Sequence, residues 1–152
     1  MTVQPIPTGY HSVTPYLIVN DAAKAIDFYQ RAFGATELFR LPTPDGKVAH
    51  AEIKIGDSPV MLVDETDGYK SPHALGGSPV SLMIYVPDVE KIFPQALAAG
   101  ATQQRPLADQ FYGDRTGTLV DPFGHVWTIA THTEDVSPEE LDRRYQKLLQ
   151  AG

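Results

Sequence analysis

The chain has 152 residues, 19 acidic against 12 basic for a formal net charge of −7, and no cysteine. That length suits one domain able to bury roughly 68–70% of its unfolded surface, and the missing thiols exclude disulfides, thiolate metal sites and a cysteine nucleophile. The acidic balance repels phosphate backbones, and no basic cluster with an apolar run or stretch of about 18 apolar residues occurs, so the expectation is a cytoplasmic protein with neither nucleic acid nor membrane as partner.

Residues 1–12 carry Pro5, Pro7 and Gly9 and read as an extended arm. Val13, Leu17 and Val19 then alternate with Thr14, Tyr16 and Ile18, the period of a strand. Asp21 stands at a helix N-cap, Ala22, Ala25, Ile26, Tyr29 and Phe33 recur at helical spacing, and Gly34 closes the helix. Strands over Thr36 to Leu41, Lys47 to Ile55 and Val60 to Asp64, separated by turns at Pro42 to Gly46 and Gly56 to Pro59, complete a first βαβββ module over 12–65. Residues 66–79, rich in Gly, Ser and Pro, read as a linker.

Self-similarity then carries the reading. Val19-Asn20-Asp21 overlays Val86-Pro87-Asp88, and Gly34-Ala35 overlays Gly100-Ala101. The second module, 80–132, repeats strand 80–86, a helix from Asp88 to Ala99, and strands 101–105, 115–120 and 125–131, with a loop at 106–113 and a turn at Asp121-Pro122-Phe123-Gly124. A last helix over 137–150 opens with Ser137, Pro138 and Glu140 in capping-box order and aligns Leu141, Tyr145, Leu148 and Leu149, a stripe expected to pack on its own domain, with a subunit contact as the alternative. The fold class is α+β, two tandem βαβββ modules and a C-terminal helix in a single domain over 1–152.

Two such modules, a V-x-D strand end before each short helix and the closing Asp121-Pro122-Phe123-Gly124-His125-Val126-Trp127 strand resemble the vicinal oxygen chelate superfamily, which includes glyoxalase I, extradiol dioxygenases and the fosfomycin and bleomycin resistance proteins. The resemblance, covering about residues 12–132, implies sheets curled into an open cup, a ligand inside it and a homodimer. It also implies that metal-binding members place ligands at positions held here by Thr14, Leu62, Ser81 and Thr128. First-row metals want imidazole or carboxylate donors, so no metal cofactor is expected.

Counting by two from those positions puts Tyr16, Ile18, Met83, Tyr85, Val126 and Ala130 on the cup wall, apolar and aromatic with scattered hydroxyls. Tyr112, Asp114 and Arg115 form a further group, in which Arg115 either holds a planar or anionic ligand or pairs with a carboxylate to pin the loop. His73, His125 and His132 read as surface or turn residues. On the strand VAHAEIKI, His50 and Glu52 share one side, a candidate pair for acid/base catalysis if that side faces the cup. The ligand-binding candidates are thus Thr14, Tyr16, Leu62, Ser81, Met83, Tyr85, Tyr112, Arg115 and Thr128.

Two functional classes fit these residues. One is a metal-free binding protein of the bleomycin resistance type that sequesters a hydrophobic or aromatic small molecule. The other is a metal-dependent lyase or dioxygenase of the same fold with displaced ligands drawn from His50, Glu52, His11 and Asp64.

Overall fold

The computed structural model describes residues 2–152. Its elements run β1 (Tyr16–Val19), α1 (Ala22–Phe33), β2 (Thr36–Pro42), β3 (Val48–Ile55), β4 (Ser58–Asp64), α2 (Pro72–Leu75), β5 (Ser81–Tyr85), α3 (Val89–Ala99), β6 (Thr102–Asp109), β7 (Asp114–Val120), β8 (Val126–His132) and α4 (Pro138–Ala151). Two four-stranded sheets form, in the orders β1-β4-β3-β2 and β5-β8-β7-β6. In each the first strand pairs parallel with the last and the other pairs are antiparallel, so both modules are mixed sheets of identical topology.

The V-x-D signature has a local physical cause. Asp21 and Asp88 cap α1 and α3 by accepting from the Lys24 and Glu90 amides at 3.1 Å. The first helical amide of each helix finds a second acceptor at the end of its own sheet: Ala22 donates to Asp64 at 2.7 Å, Val89 to the Thr131 hydroxyl at 2.9 Å. Each helix start is therefore fastened to the strand that closes its module.

The modules share one core. α1 packs against α3, and its aromatic face meets the β7–β8 turn of the other module, with the Phe33 and Tyr29 rings 5.1 and 5.5 Å from Trp127. Beneath them lies Asp121, 3% exposed, which accepts from the Tyr29 hydroxyl at 2.5 Å, Trp127 Nε1 at 2.8 Å and the backbone amides of Phe123 and His125 at 2.8 and 3.0 Å. Four donors on one buried carboxylate leave it satisfied, and burial beside that charge pushes the Tyr29 phenol well above its ordinary range. His125 Nε2 and the Ile18 carbonyl, 3.0 Å apart, tie the turn to β1, and His73 Nε2 and the Pro122 carbonyl, 2.8 Å apart, tie the linker to the turn.

Several expectations shift. β1 starts at Tyr16, so Val13 and Thr14 precede the strand. The arm is not free: the Tyr10 phenol donates to Glu52 on β3. The linker contains one helical turn, α2, because Ser71 caps it and Pro72 opens it. β6 continues through Pro106 to Asp109 as an edge strand with two register shifts, where a proline removes no ladder bond. α4 buries none of its residues; it is held at its middle, where Arg144 reaches Glu134, Glu140 and the Phe111 carbonyl and Tyr145 stacks on Phe111. Its leucines remain exposed, so own-domain packing of the whole stripe does not occur.

Candidate functional site in the open faces of the two sheets

The helices cover one face of each sheet, taking Leu17, Val19, Ile53, Val60 and Leu62 in the first and Leu119, Trp127 and Ile129 in the second. The opposite faces are open. Strand register arranges the open face in rows, because residues directly across a ladder share a side. In the second module Met83, Thr128, Thr118 and Arg105 form one row, and Tyr85, Ala130, Thr116 and Ala108 the next. The matching first row of module one is Tyr16, Met61, Glu52 and Phe39, with Leu41 across from His50. Tyr16, Phe39, Leu41, Met83 and Tyr85 are all exposed, giving both faces an aromatic and apolar character.

Most of the expected lining residues stand on these faces: Tyr16, Ser81, Met83, Tyr85 and Thr128, with Thr14 just before β1. Two do not. Leu62 is fully buried on the helix side, and the register of the repeat, Tyr16 opposite Met61 as Met83 is opposite Thr128, gives its expected place to Met61. Pairing by sequence alone was one residue out, and one residue on a strand is a change of face. Arg115 points to α3, bonded to Glu90 and, at 3.3 Å, to Asp109. Tyr112 sits in the β6–β7 loop with its ring edge-on to Phe111 at 5.3 Å.

The residues at the metal positions do not fit a cation. Thr14 donates to the His11 carbonyl at 3.3 Å, Thr128 and Thr118 hydroxyls bond each other at 3.0 Å, Ser81 is a hydroxyl and Met61 a thioether. None supplies charge or a strong lone pair. Among the described residues no three His, Asp or Glu side chains converge on a point. Of the displaced set, Asp64 has its two oxygens taken by backbone amides, of Ala22 and of Val48, each at 2.7 Å.

Two polar clusters remain on the open faces. In module one, His50 Nε2 lies 2.7 Å from Glu52 Oε2 and Nδ1 lies 3.4 Å from the Tyr16 hydroxyl, while Glu52, 7% exposed, also accepts from Tyr10. The bond to Glu52 raises the Tyr10 phenol above its ordinary range. In module two, Tyr85 donates to buried Asp114 at 2.7 Å, and His132 touches Asp114 and Asp135, each at 2.7 Å, through opposite ring nitrogens. The strand periodicity of Thr36 to Leu41 holds the signal for Phe39 and Leu41, whereas nothing local announces Tyr10 or that Asp114 meets Tyr85 and His132.

The His132 cluster makes stability depend on pH. The hydrogen bond to Asp114, then that to Asp135, raises the imidazole above 6.5 against a smaller opposing effect of burial. A raised folded value means that the contribution is complete below about pH 6.5 and fades as pH climbs through the folded midpoint. Histidine NMR is expected to give His132 a midpoint above 6.5, and Asp114→Asn to bring it down; an unchanged midpoint in that variant would show the contact to be inert.

Between the arm, the end of α1, the β3–β4 turn and β5 lies a hollow of about 880 Å³, bordered by Val13, Pro15, Phe33, Ile84, Met83 and Tyr85. β1 and β5 exchange no ladder bonds across it.

Duplicated βαβββ modules backed by paired helices, each sheet keeping its other face open, define the glyoxalase-type class of α+β proteins. Residues 9–129 match the Glyoxalase/Bleomycin resistance protein/Dioxygenase superfamily, and the chain belongs to it. It is 47% identical over 135 residues to the uncharacterized protein Mb0911c of Mycobacterium bovis, covering 86% of this chain and 89% of that one. Among solved structures it is similar to TioX from Micromonospora sp. ML1 (28% identity, TM-score 0.65, 84% of this chain and 100% of that one). It is also similar to protein PA1353 from Pseudomonas aeruginosa (26% identity, TM-score 0.67, 82% and 99%).

Proposed function

We propose that the protein is a metal-free small-molecule binder of this superfamily, cytoplasmic and homodimeric, that holds a hydrophobic or aromatic ligand on the open faces of its sheets. The observation that carries the reading is the donor set: hydroxyls of Thr14, Ser81 and Thr128 and the Met61 thioether stand where metal-binding members need imidazoles and carboxylates, beside exposed Tyr16, Phe39, Met83 and Tyr85. Apolar side chains this exposed support a ligand or a second copy covering them.

Metal analysis of protein purified without chelator, with thermal-shift titrations, tests this reading. Zn²⁺, Ni²⁺, Mn²⁺ and Fe²⁺ are expected to leave the midpoint unmoved, whereas a site loaded at a hundredfold excess over Kd would add about 2.7 kcal/mol. A panel of neutral and cationic planar aromatics is expected to contain compounds that raise the midpoint. Stoichiometric metal, or no response to any aromatic, overturns the proposal. Sedimentation equilibrium tests the dimer.

A further inference from the structure

The duplication itself isolates an unexplained feature. Because Thr118 and Thr128 occupy in module two the row positions of Glu52 and Met61, and Thr116 lies two residues before Thr118 as His50 lies two before Glu52, this sheet is built with threonines where module one has an imidazole and a carboxylate. The fold does not demand His50 or Glu52. Yet Glu52 is nearly buried and fully hydrogen-bonded, by Tyr10 on one oxygen and His50 on the other, an arrangement that holds a charge in place rather than merely solvating it.

A carboxylate can only accept, so Glu52 requires the hydrogen of His50 to sit on Nε2, which leaves the Nδ1 lone pair directed at the Tyr16 hydroxyl 3.4 Å away. Hydroxyl, imidazole and carboxylate thus follow one another as in hydrolase triads, with the carboxylate setting the tautomer and stabilising the imidazolium that proton uptake creates. The Tyr16 and Phe39 rings, 5.6 and 5.9 Å from the imidazole, flank it. Tyr16 is 47% exposed, so its long bond to Nδ1 is open to insertion of a ligand.

We propose that Tyr16, His50 and Glu52 form a proton relay that interconverts the keto and enol forms of an α-aryl ketone bound on this face. His50 Nδ1 takes the proton from the carbon next to the carbonyl. The C–H electron pair becomes the C=C bond, the carbonyl π pair moves to oxygen, and that oxygen takes the Tyr16 hydroxyl proton. Imidazolium and phenolate are then neighbours, and one proton passes from Nδ1 to Oη to restore both. Ketone and enol have the same atoms, so the cycle needs no oxidant, metal or second substrate. Base and acid side by side suit a substrate whose carbon acid and carbonyl oxygen are two bonds apart. Glu52 and Tyr10 are positioning residues. The relay rests on the reading of the open face as the ligand site.

The test uses the full chain and phenylacetone. Chemical-shift changes at Tyr16 and Phe39 report occupancy, long-range ¹H–¹⁵N spectra report the His50 tautomer, and deuterium uptake at the benzylic carbon reports proton transfer. The expected results are an Nε2–H tautomer and uptake about 100-fold faster than in buffer, within the range of general acid–base catalysis. His50→Gln, whose amide can still donate to Glu52 and keep the thermal midpoint, is expected to fall to the buffer rate, and Tyr16→Phe to lose about tenfold. Glu52→Gln is expected to shift the pH profile and abolish the tautomer preference. Occupancy with uptake no faster than in His50→Gln, or an Nδ1–H tautomer, overturns the relay while leaving the binding reading intact. Absence of any change at Tyr16 and Phe39 with phenylacetone overturns the relay, and the same absence across the whole aromatic panel overturns the binding reading as well.

Discussion

Asp121→Ala is expected to destabilise the protein by about 3–5 kcal/mol, the largest effect of any single side-chain truncation considered. The carboxylate is the common acceptor for the Tyr29 hydroxyl, the Trp127 indole and two backbone amides, and all lie where the modules join. Truncation leaves two buried side-chain donors without partners, each costing about 1–3 kcal/mol, and frees the turn that carries His125 to the Ile18 carbonyl. Tyr29→Phe removes only one donor and is expected to cost about 1–2 kcal/mol. Urea unfolding followed by tryptophan fluorescence measures both; equal losses would show that the carboxylate is not shared as described. The same cluster predicts alkaline sensitivity. Tyr29 is raised above 10.0 by burial first and by the Asp121 charge second, so its contribution is whole below about pH 10 and is lost as pH rises toward the folded value.

Gly113→Ala is expected to cost about 3 kcal/mol, from two sources acting on one loop. Its φ of +97° lies where an L side chain is strained, and an added Cβ would stand 2.1 Å from the Glu134 carbonyl oxygen, which is backbone and cannot swing aside. The Gly113 carbonyl also accepts from the Thr133 and Glu134 amides at 2.8 and 3.1 Å, so relief of the clash pulls the 133–136 segment off the β6–β7 loop. Asp114 and His132 flank that contact and α4 hangs from it through Arg144. The variant is therefore expected to lower the His132 midpoint as well as the unfolding midpoint, and to expose α4 to limited proteolysis. A stability loss with His132 unchanged would separate the loop from the Asp114 cluster.

Glycine, proline, aspartate and two simple periods made the element order of this chain readable. Asp21 and Asp88 announce helix starts because a carboxylate there meets free amides, and Gly34 and Gly100 mark the ends. Comparing halves aligned Tyr16 with Met83, and the registers of β1 with β4 and β5 with β8 agree with that alignment. The same comparison misplaced Leu62 by one residue, since the turn before β4 differs from the Asp121 turn before β8 and nothing local counts residues across it. A ladder settles such a count by hydrogen bonding, and a shift of one turns a cup residue into a core residue.

Sequence alone thus determined the repeated βαβββ order, the family and the lack of charged donors at the expected metal positions, because capping, strand period and residue chemistry act over a few neighbours. Tertiary structure decided which face of each strand is open, that Arg115 reaches Glu90 on α3, that Tyr10 folds back onto Glu52, and that Asp121 joins two modules. Those outcomes depend on groups up to 92 residues apart meeting in a dry interior, where an unmet donor is costly and only the packed chain can supply its partner.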